Sequence, residues 1–97
     1  MMRVRILSAV ELELAASAHF YASRSRALAR RFVLAVMHTI DAVRAHPHSG
    51  GILRDDVRRL LVPRFPFAIL YRIDPDEILV VAIMDVRREP DYWIDRL

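Results

Sequence analysis

The sequence contains no cysteine, no lysine, no asparagine and no glutamine, and only two glycines in 97 residues. Without cysteine there are no disulfides, no thiolate zinc sites and no thiol catalysis, so a chain of this size must be held by its apolar core alone. Without lysine there is no amine base, no Schiff-base nucleophile and no lysine contact to phosphate. No stretch approaches the roughly 18 to 20 consecutive apolar residues of a membrane span, and the opening residues Met1 to Leu7 carry no apolar segment with a small-residue cleavage site. A soluble, cytoplasmic protein is expected. What is present is a hydrophobic content of 55%, too high for intrinsic disorder and enough for one domain spanning residues 1–97, with no room for a second core.

All fifteen cations are arginines, flat and permanently ionised groups suited to carboxylates, phosphates and aromatic faces. The formal net charge of +3 invites a nucleic-acid reading, but the excess is local. Residues 1–50 hold seven arginines against three acids, whereas residues 51–97 hold eight against nine. Arg24, Arg26, Arg30 and Arg31 follow one another with no acid between Glu13 and Asp41, so a positive patch is expected at one end of the first half. A solvated helix face accounts for such a cluster more readily than the roughly 6 to 10 phosphate contacts of a committed DNA binder.

The adjacent glycines Gly50 and Gly51 mark the one evident joint. Before it the pattern is helical and after it mostly extended. Arg3 to Leu7 alternates as a short strand. Ser8 with Glu11 forms a capping box, and Leu7 with Leu12 a hydrophobic staple, which together predict a helix starting at Ala9. Val10, Leu14, Ala18 and Tyr21 form its apolar stripe. After the polar break at Ser23 to Ser25, a second stripe runs through Leu28, Phe32, Ala35, Val36, Ile40 and Val43 until Pro47 stops it. Val57 to Val62, Phe67 to Ile73 and Ile78 to Met84 read as three strands, the last apolar throughout and therefore central, with a turn at Asp74 to Glu77. Pro90 fits the first position of a terminal helix carrying Tyr92, Trp93 and Leu97. The expected order is β-α-α-β-β-β-α, an α+β two-layer fold with a helical hairpin on a small, mostly antiparallel sheet. Its functional surface is expected in a cleft bordered by the open sheet face, the turn after the last strand and the terminal aromatics.

Arg58, Arg59, Arg64, Arg72, Arg87 and Arg88 fall on the strands or their ends, where strand spacing near 4.8 Å brings several within about 10 Å of one another. Such a cluster is a candidate for a partner's carboxylates or for phosphate. Asp55, Asp56, Asp85, Glu89 and Asp91 flank the same segments, and surface pairing at home is the plainer reading for any one arginine. The four histidines sit away from these arginines, and His46-x-His48 lacks a third ligand, so neither acid-base catalysis by histidine nor a metal site is expected. Asp85 reads as a salt bridge fixing the turn, since a neighbouring arginine lowers a carboxylate pKa and weakens it as a base. Tyr92 and Trp93 are candidates for stacking on a base or anchoring a partner, while Trp93 reads more readily as core.

The segments SAVELELAASAHFY, ALARRFVLAV and AHPHSG, then VRRLLVPRFPFAILYRI and VRREPDYW, resemble in the same order the RelE/ParE superfamily of bacterial toxins over essentially the whole chain. The resemblance implies the toxin of a type II toxin-antitoxin system, with plasmid stabilisation and growth arrest as roles. It also implies a cognate antitoxin whose C-terminal segment wraps the toxin while its other domain binds operator DNA, so that DNA is contacted only indirectly. RelE-like members are ribosome-dependent mRNA endonucleases using basic residues with a C-terminal Tyr or His, and Arg59, Arg64, Arg87 and Tyr92 align with that set. ParE-like members lack it and are linked to inhibition of DNA gyrase. This chain has no lysine, and Asp85 stands where many nuclease relatives have His before the double arginine. It therefore resembles the ParE-like branch more, a non-enzymatic inhibitor without cofactors. Its target or antitoxin surface is expected to draw on Arg58, Arg59, Arg64, Arg72, Arg87, Arg88, Tyr92 and Trp93. The alternatives are the RelE-like nuclease and a degenerate, non-toxic binding module.

Overall fold

The computed structural model describes residues 2–88 and 90–97. Strand β1 (Arg3–Ile6) leads into helices α1 (Ser8–Ala22) and α2 (Arg26–Ala45). A 3-10 turn (Pro47–Ser49) follows, then strands β2 (Gly51–Arg54), β3 (Val57–Leu61), β4 (Phe67–Ile73) and β5 (Glu77–Asp85), and a second 3-10 turn (Ile94–Arg96). The sheet order is β1-β5-β4-β3-β2. Only the β1–β5 pair is parallel, with Val4 opposite Ile78 and Ile6 opposite Val80. This is the α+β hairpin-on-sheet architecture that the residue pattern predicts, except that β4 takes the central place; β5 is an inner strand between β1 and β4, buried on both faces.

The helical hairpin covers one sheet face. Val10 of α1 and Phe32, Val36, Ile40 and Val43 of α2 close against Ile69, Tyr71, Ile78 and Val80. Tyr21, Phe32, Phe65 and Phe67 pack edge-on or tilted with ring centroids 5.0 to 6.4 Å apart, joining both helices to the β3–β4 turn. Ser25 caps α2 by accepting the Leu28 amide at 3.2 Å.

Three further expectations are corrected. Ser8 is the first helical residue of α1 rather than its cap: Leu7 is the N-cap, with no side-chain capping bond, and its carbonyl accepts from the amides of Val10 and Glu11. The tertiary position of Leu7, whose own amide donates to Val80 and whose side chain joins the core, outweighs the local Ser-x-x-Glu signal. The sheet has five strands, because Gly51–Arg54 pairs with β3 through a tight turn in which Asp55 adopts a left-handed φ of 51°. All four β2 residues are exposed, so no burial alternation marks the strand in the sequence. The terminal segment is not an α-helix. Its backbone bonds run three residues back, from Ile94 to Asp91 and from Arg96 to Trp93, because the segment is bent to seat two tertiary anchors, Trp93 and Arg96.

Candidate functional site

The second sheet face is not open along its length. Trp93, 1% exposed, joins Leu70, Val81, Ala82 and Met84 in a second buried cluster, and its indole Nε1 donates to the Pro90 carbonyl at 2.6 Å. A bulge on β5 opposite Leu70 and Tyr71 turns both Val81 and Ala82 toward this cluster. Trp93 is therefore packed inside and is not presented to a partner.

The segment carrying Trp93 is clamped by charge. Glu13 of α1 accepts from Arg96 Nη1 at 2.9 Å and Nη2 at 3.3 Å and also from the Ile83 amide at 3.2 Å, while Arg96 Nη1 donates to the Val81 carbonyl at 3.0 Å. The Arg96 guanidinium lies 5.1 Å from the Tyr92 ring centroid, and the Tyr92 hydroxyl donates a long 3.4 Å bond to the Ile83 carbonyl. Burial first, and then the neighbouring Glu13 carboxylate, push the Tyr92 hydroxyl pKa well above its ordinary value.

Between α1, the end of β5 and this segment lies a cleft of about 540 Å³, lined among others by Glu13, Phe20, Asp85, Arg87, Arg88 and Tyr92. It is the cleft that the terminal aromatics and the double arginine predict, except that α1 rather than the open sheet face forms its wall. Asp85 receives Arg87 Nη2 at 2.9 Å and Nε at 3.0 Å together with the Arg87 amide at 2.9 Å, and Arg88 approaches at 3.8 Å. The Arg87 hydrogen bonds hold the Asp85 carboxyl below the usual carboxylate range. Asp85 is thus the turn-fixing partner its neighbours predict. Arg24 stacks over the exposed Phe20 ring, 4.4 Å from its centroid.

The other arginines go elsewhere. Arg58 projects to the helix side and donates to the Gly50 carbonyl at 2.8 Å, tying β3 to the loop after α2. Arg59 lies on the opposite sheet face, in register with Leu70. Arg72 holds Asp74 through two bonds of 2.7 and 3.2 Å, which lower the Asp74 pKa. Arg3 and Arg5 of β1 clamp Glu77 at 3.3 and 2.7 Å. Arg64 sits in the β3–β4 turn and lines a different groove, about 680 Å³, between α2 and β3. Of the eight residues expected at the site, the structure gathers Arg87, Arg88 and Tyr92. The set Arg59, Arg64, Arg87 and Tyr92 is spread over three surfaces. Glu89, expected among the neutralising acids, lies outside the described residues.

Sequence reasoning missed Glu13, Arg96 and Phe20, and of the α2–β3 groove it named only Arg64 as a site residue. Glu13 and Arg96 are 83 residues apart, so no local spacing announces the pair. Among the described residues, no group of three or more His, Cys, Asp or Glu is placed to hold a metal ion, and no helix is long and apolar enough to cross a membrane.

Comparison with solved structures finds similarity to a chain of the chromosomal ParDE TA system from P. aeruginosa, with a TM-score of 0.66 and 22% identity over 88% of this chain and 96% of that one. At that identity the likeness speaks for the fold alone. No curated protein matches. The family model described as ParE toxin of type II toxin-antitoxin system, parDE, matches residues 4–90, nearly the whole chain. The chain belongs to this family of ParE toxins.

Proposed function

We propose that the protein arrests growth by binding a cellular target, DNA gyrase, without cutting nucleic acid, and that a cognate antitoxin neutralises it in the cytoplasm. The observation carrying this reading is the engagement of Arg87 by Asp85 through two side-chain bonds. A ribonuclease of this fold needs uncommitted cations around a scissile phosphate and a group that moves a proton. Here Arg87 is held at home by Asp85, burial raises the Tyr92 hydroxyl further above its ordinary pKa and makes it a poorer base, and Arg59 and Arg64 stand on other surfaces. The family match supports the toxin assignment, and the ParE-like rather than RelE-like character of the chain favours gyrase as the target.

The test pairs two assays on the purified toxin. Inhibition of gyrase supercoiling, with no cleavage of translated mRNA, is expected. Cleavage of translated mRNA without any effect on gyrase overturns the proposal, and a loss of that cleavage in Arg87→Ala would assign the nuclease role to this cleft. Unimpaired growth on expression without the antitoxin would place the chain among non-toxic binding modules.

A further inference from the structure

The fifteen arginines divide by what their side chains hold. Among the described residues, all but six engage a carboxylate or a backbone carbonyl. Five of the six, Arg24, Arg26, Arg30, Arg31 and Arg64, are exposed and collect at one end of the molecule, while the sixth, Arg59, lies on the sheet face away from the helices. An aromatic cluster brings the five together. The rings of Tyr21, Phe32 and Phe65 lie 5.0 to 5.3 Å apart; Arg31 and Arg64 each precede one of these residues, and the Arg24 amide bonds the Tyr21 carbonyl at 3.0 Å. Arg26 and Arg30 stand one helical turn apart at the start of α2, with a rise of about 6 Å between them.

The fold does not ask for this concentration of charge. No acid occurs between Glu13 and Asp41 or between Asp56 and Asp74, and Asp85, at the end of β5 on this side, is already engaged by Arg87 and Arg88. The acids of the β2–β3 and β4–β5 turns stand at the far ends of β3 and β4 from Arg64. The first turn of α2 carries Arg26 and no acid, although the helix dipole disfavours a cation there. Arg64 holds a left-handed φ of 69° that glycine adopts without steric cost, so the turn accepts strain where it presents a guanidinium. Arg24, Arg26 and Arg30 line neither cleft, so the group is laid out along a surface and does not converge on one small ligand.

We propose that this corner binds the phosphate backbone of duplex DNA without reading its sequence. A duplex presents one charge per roughly 1.7 Å of its axis, and permanently ionised groups spaced over three elements match such a row, whereas a lone anion would use one or two of them. An acidic peptide lying in the α2–β3 groove would meet Arg31 and Arg64 and leave the other three cations unmatched. A single strand would bring unstacked bases that need aromatic platforms, and the exposed ring beside the cluster, Phe20, already stacks with Arg24 at 4.4 Å. The acids at the opposite end make the molecule dipolar, so a polyanion meets the arginine end first. Five contacts suit weak, salt-sensitive attachment, the kind that phosphate contacts alone provide. The choice of DNA rests on the gyrase reading, since duplex DNA is the polyanion present at that target; the site itself does not.

The experiment follows the anisotropy of a labelled DNA duplex of about 20 base pairs with purified toxin as salt rises from about 50 to about 200 mM. Neutralising four or five phosphates gives a log–log slope of about −3.6 to −4.5, a loss of affinity of about 150- to 500-fold over that range. Arg26→Ala combined with Arg30→Ala should flatten the slope by about 1.8 and raise the Kd at the lower salt by about tenfold or more. Its melting temperature should hold or rise, because both sites are exposed and a cation leaves the helix N-terminus. Arg44→Ala combined with Arg59→Ala removes the same charge elsewhere and should leave the Kd within about threefold. Equal losses in the two double variants overturn the corner in favour of net charge alone. No saturable binding by the wild-type toxin overturns the proposal and leaves the gyrase reading to its supercoiling assay, whereas duplex binding without inhibition of supercoiling supports the site and overturns the gyrase reading alone. Tighter binding of an RNA duplex or of a single strand, or equal displacement by polyglutamate, overturns DNA in favour of RNA, a base-stacking site or an acidic protein.

Discussion

Replacing Glu13 by alanine tests the clamp that orders the terminal segment. The side chains of Glu13 and Arg96 are only 18% and 21% exposed, so neither end of the pair is freely hydrated. Removing the carboxylate leaves the Ile83 amide without its acceptor, at about 1 to 3 kcal/mol for an orphaned donor in a largely buried site. It also deprives Arg96 of two charge-assisted bonds, a loss that its remaining bond to the Val81 carbonyl and partial rehydration hold to about 1 kcal/mol. The expected total is about 3 kcal/mol, a large share of the roughly 5 to 15 kcal/mol that stabilises a domain. In a chain of this length it lowers the melting temperature by about 12 to 24 °C. Urea unfolding followed by far-UV circular dichroism gives the free energy, and the single tryptophan, Trp93, reports the clamped segment directly. Its emission should shift to the red in Glu13→Ala before the helices unfold. Glu13→Gln, which keeps one acceptor oxygen, should cost about half as much. A loss of about 0.5 kcal/mol or less, the value of an ordinary surface pair, with unchanged Trp93 emission would refute the reasoning.

The loop between α2 and β2 offers a second test: the fully buried Tyr71 hydroxyl donates to the Pro47 carbonyl at 2.6 Å and accepts from the Gly50 amide at 3.0 Å, so Tyr71→Phe should cost about 2 to 3 kcal/mol in chemical denaturation. At Gly50 an added Cβ would come within 2.5 Å of that hydroxyl and 2.8 Å of the Arg59 carbonyl, so Gly50→Ala should destabilise by about 1 to 3 kcal/mol, while Gly51→Ala, with open space around it, should be neutral. Equal effects at the two glycines would contradict the packing. Stability should also depend on acid: Asp74, Glu77 and Asp85 are held below the usual carboxylate range chiefly by Arg72, Arg5 and Arg87, so their contribution is complete above the unfolded value of about 4. It is then lost as pH falls through the lowered folded values. Urea midpoints measured across pH should be flat above about 5 and decline below 4, and a flat profile down to pH 3 would show that these pairs contribute nothing to folding.

Most of the fold was legible because its signals are local. The apolar stripe of α2 names its buried face, Pro47 marks its end, and the unbroken apolar run of β5 announces a strand covered on both sides. The errors fall where tertiary contacts outweigh such signals. Leu7 caps α1 because β1 docks on β5 and leaves the Leu7 carbonyl free for the first turn, so the serine hydroxyl is not needed. Strand β2 buries nothing and so leaves no alternation to read. The segment after Pro90 carries residue types that a helix tolerates, but the seating of Trp93 and Arg96 decides its shape.

The candidate site was less legible for the same reason, and two stretches where an inner strand outruns its neighbour show why. Beyond Val80, strand β5 has no strand partner on the β1 side, and an unpaired edge there would expose a row of backbone groups. Arg96 takes the Val81 carbonyl, Glu13 takes the Ile83 amide and the Tyr92 hydroxyl reaches the Ile83 carbonyl, so three side chains from two distant segments close that edge. None of the three signals this in its sequence neighbourhood. Beyond Arg59, strand β3 likewise outruns β2, and there Leu61, on the Arg59 face of the sheet, stays exposed while Arg64 turns the chain with a left-handed φ of 69°. The first stretch is closed by partly buried charge and the second is left to solvent, and neither outcome is encoded in the residues next to it in sequence.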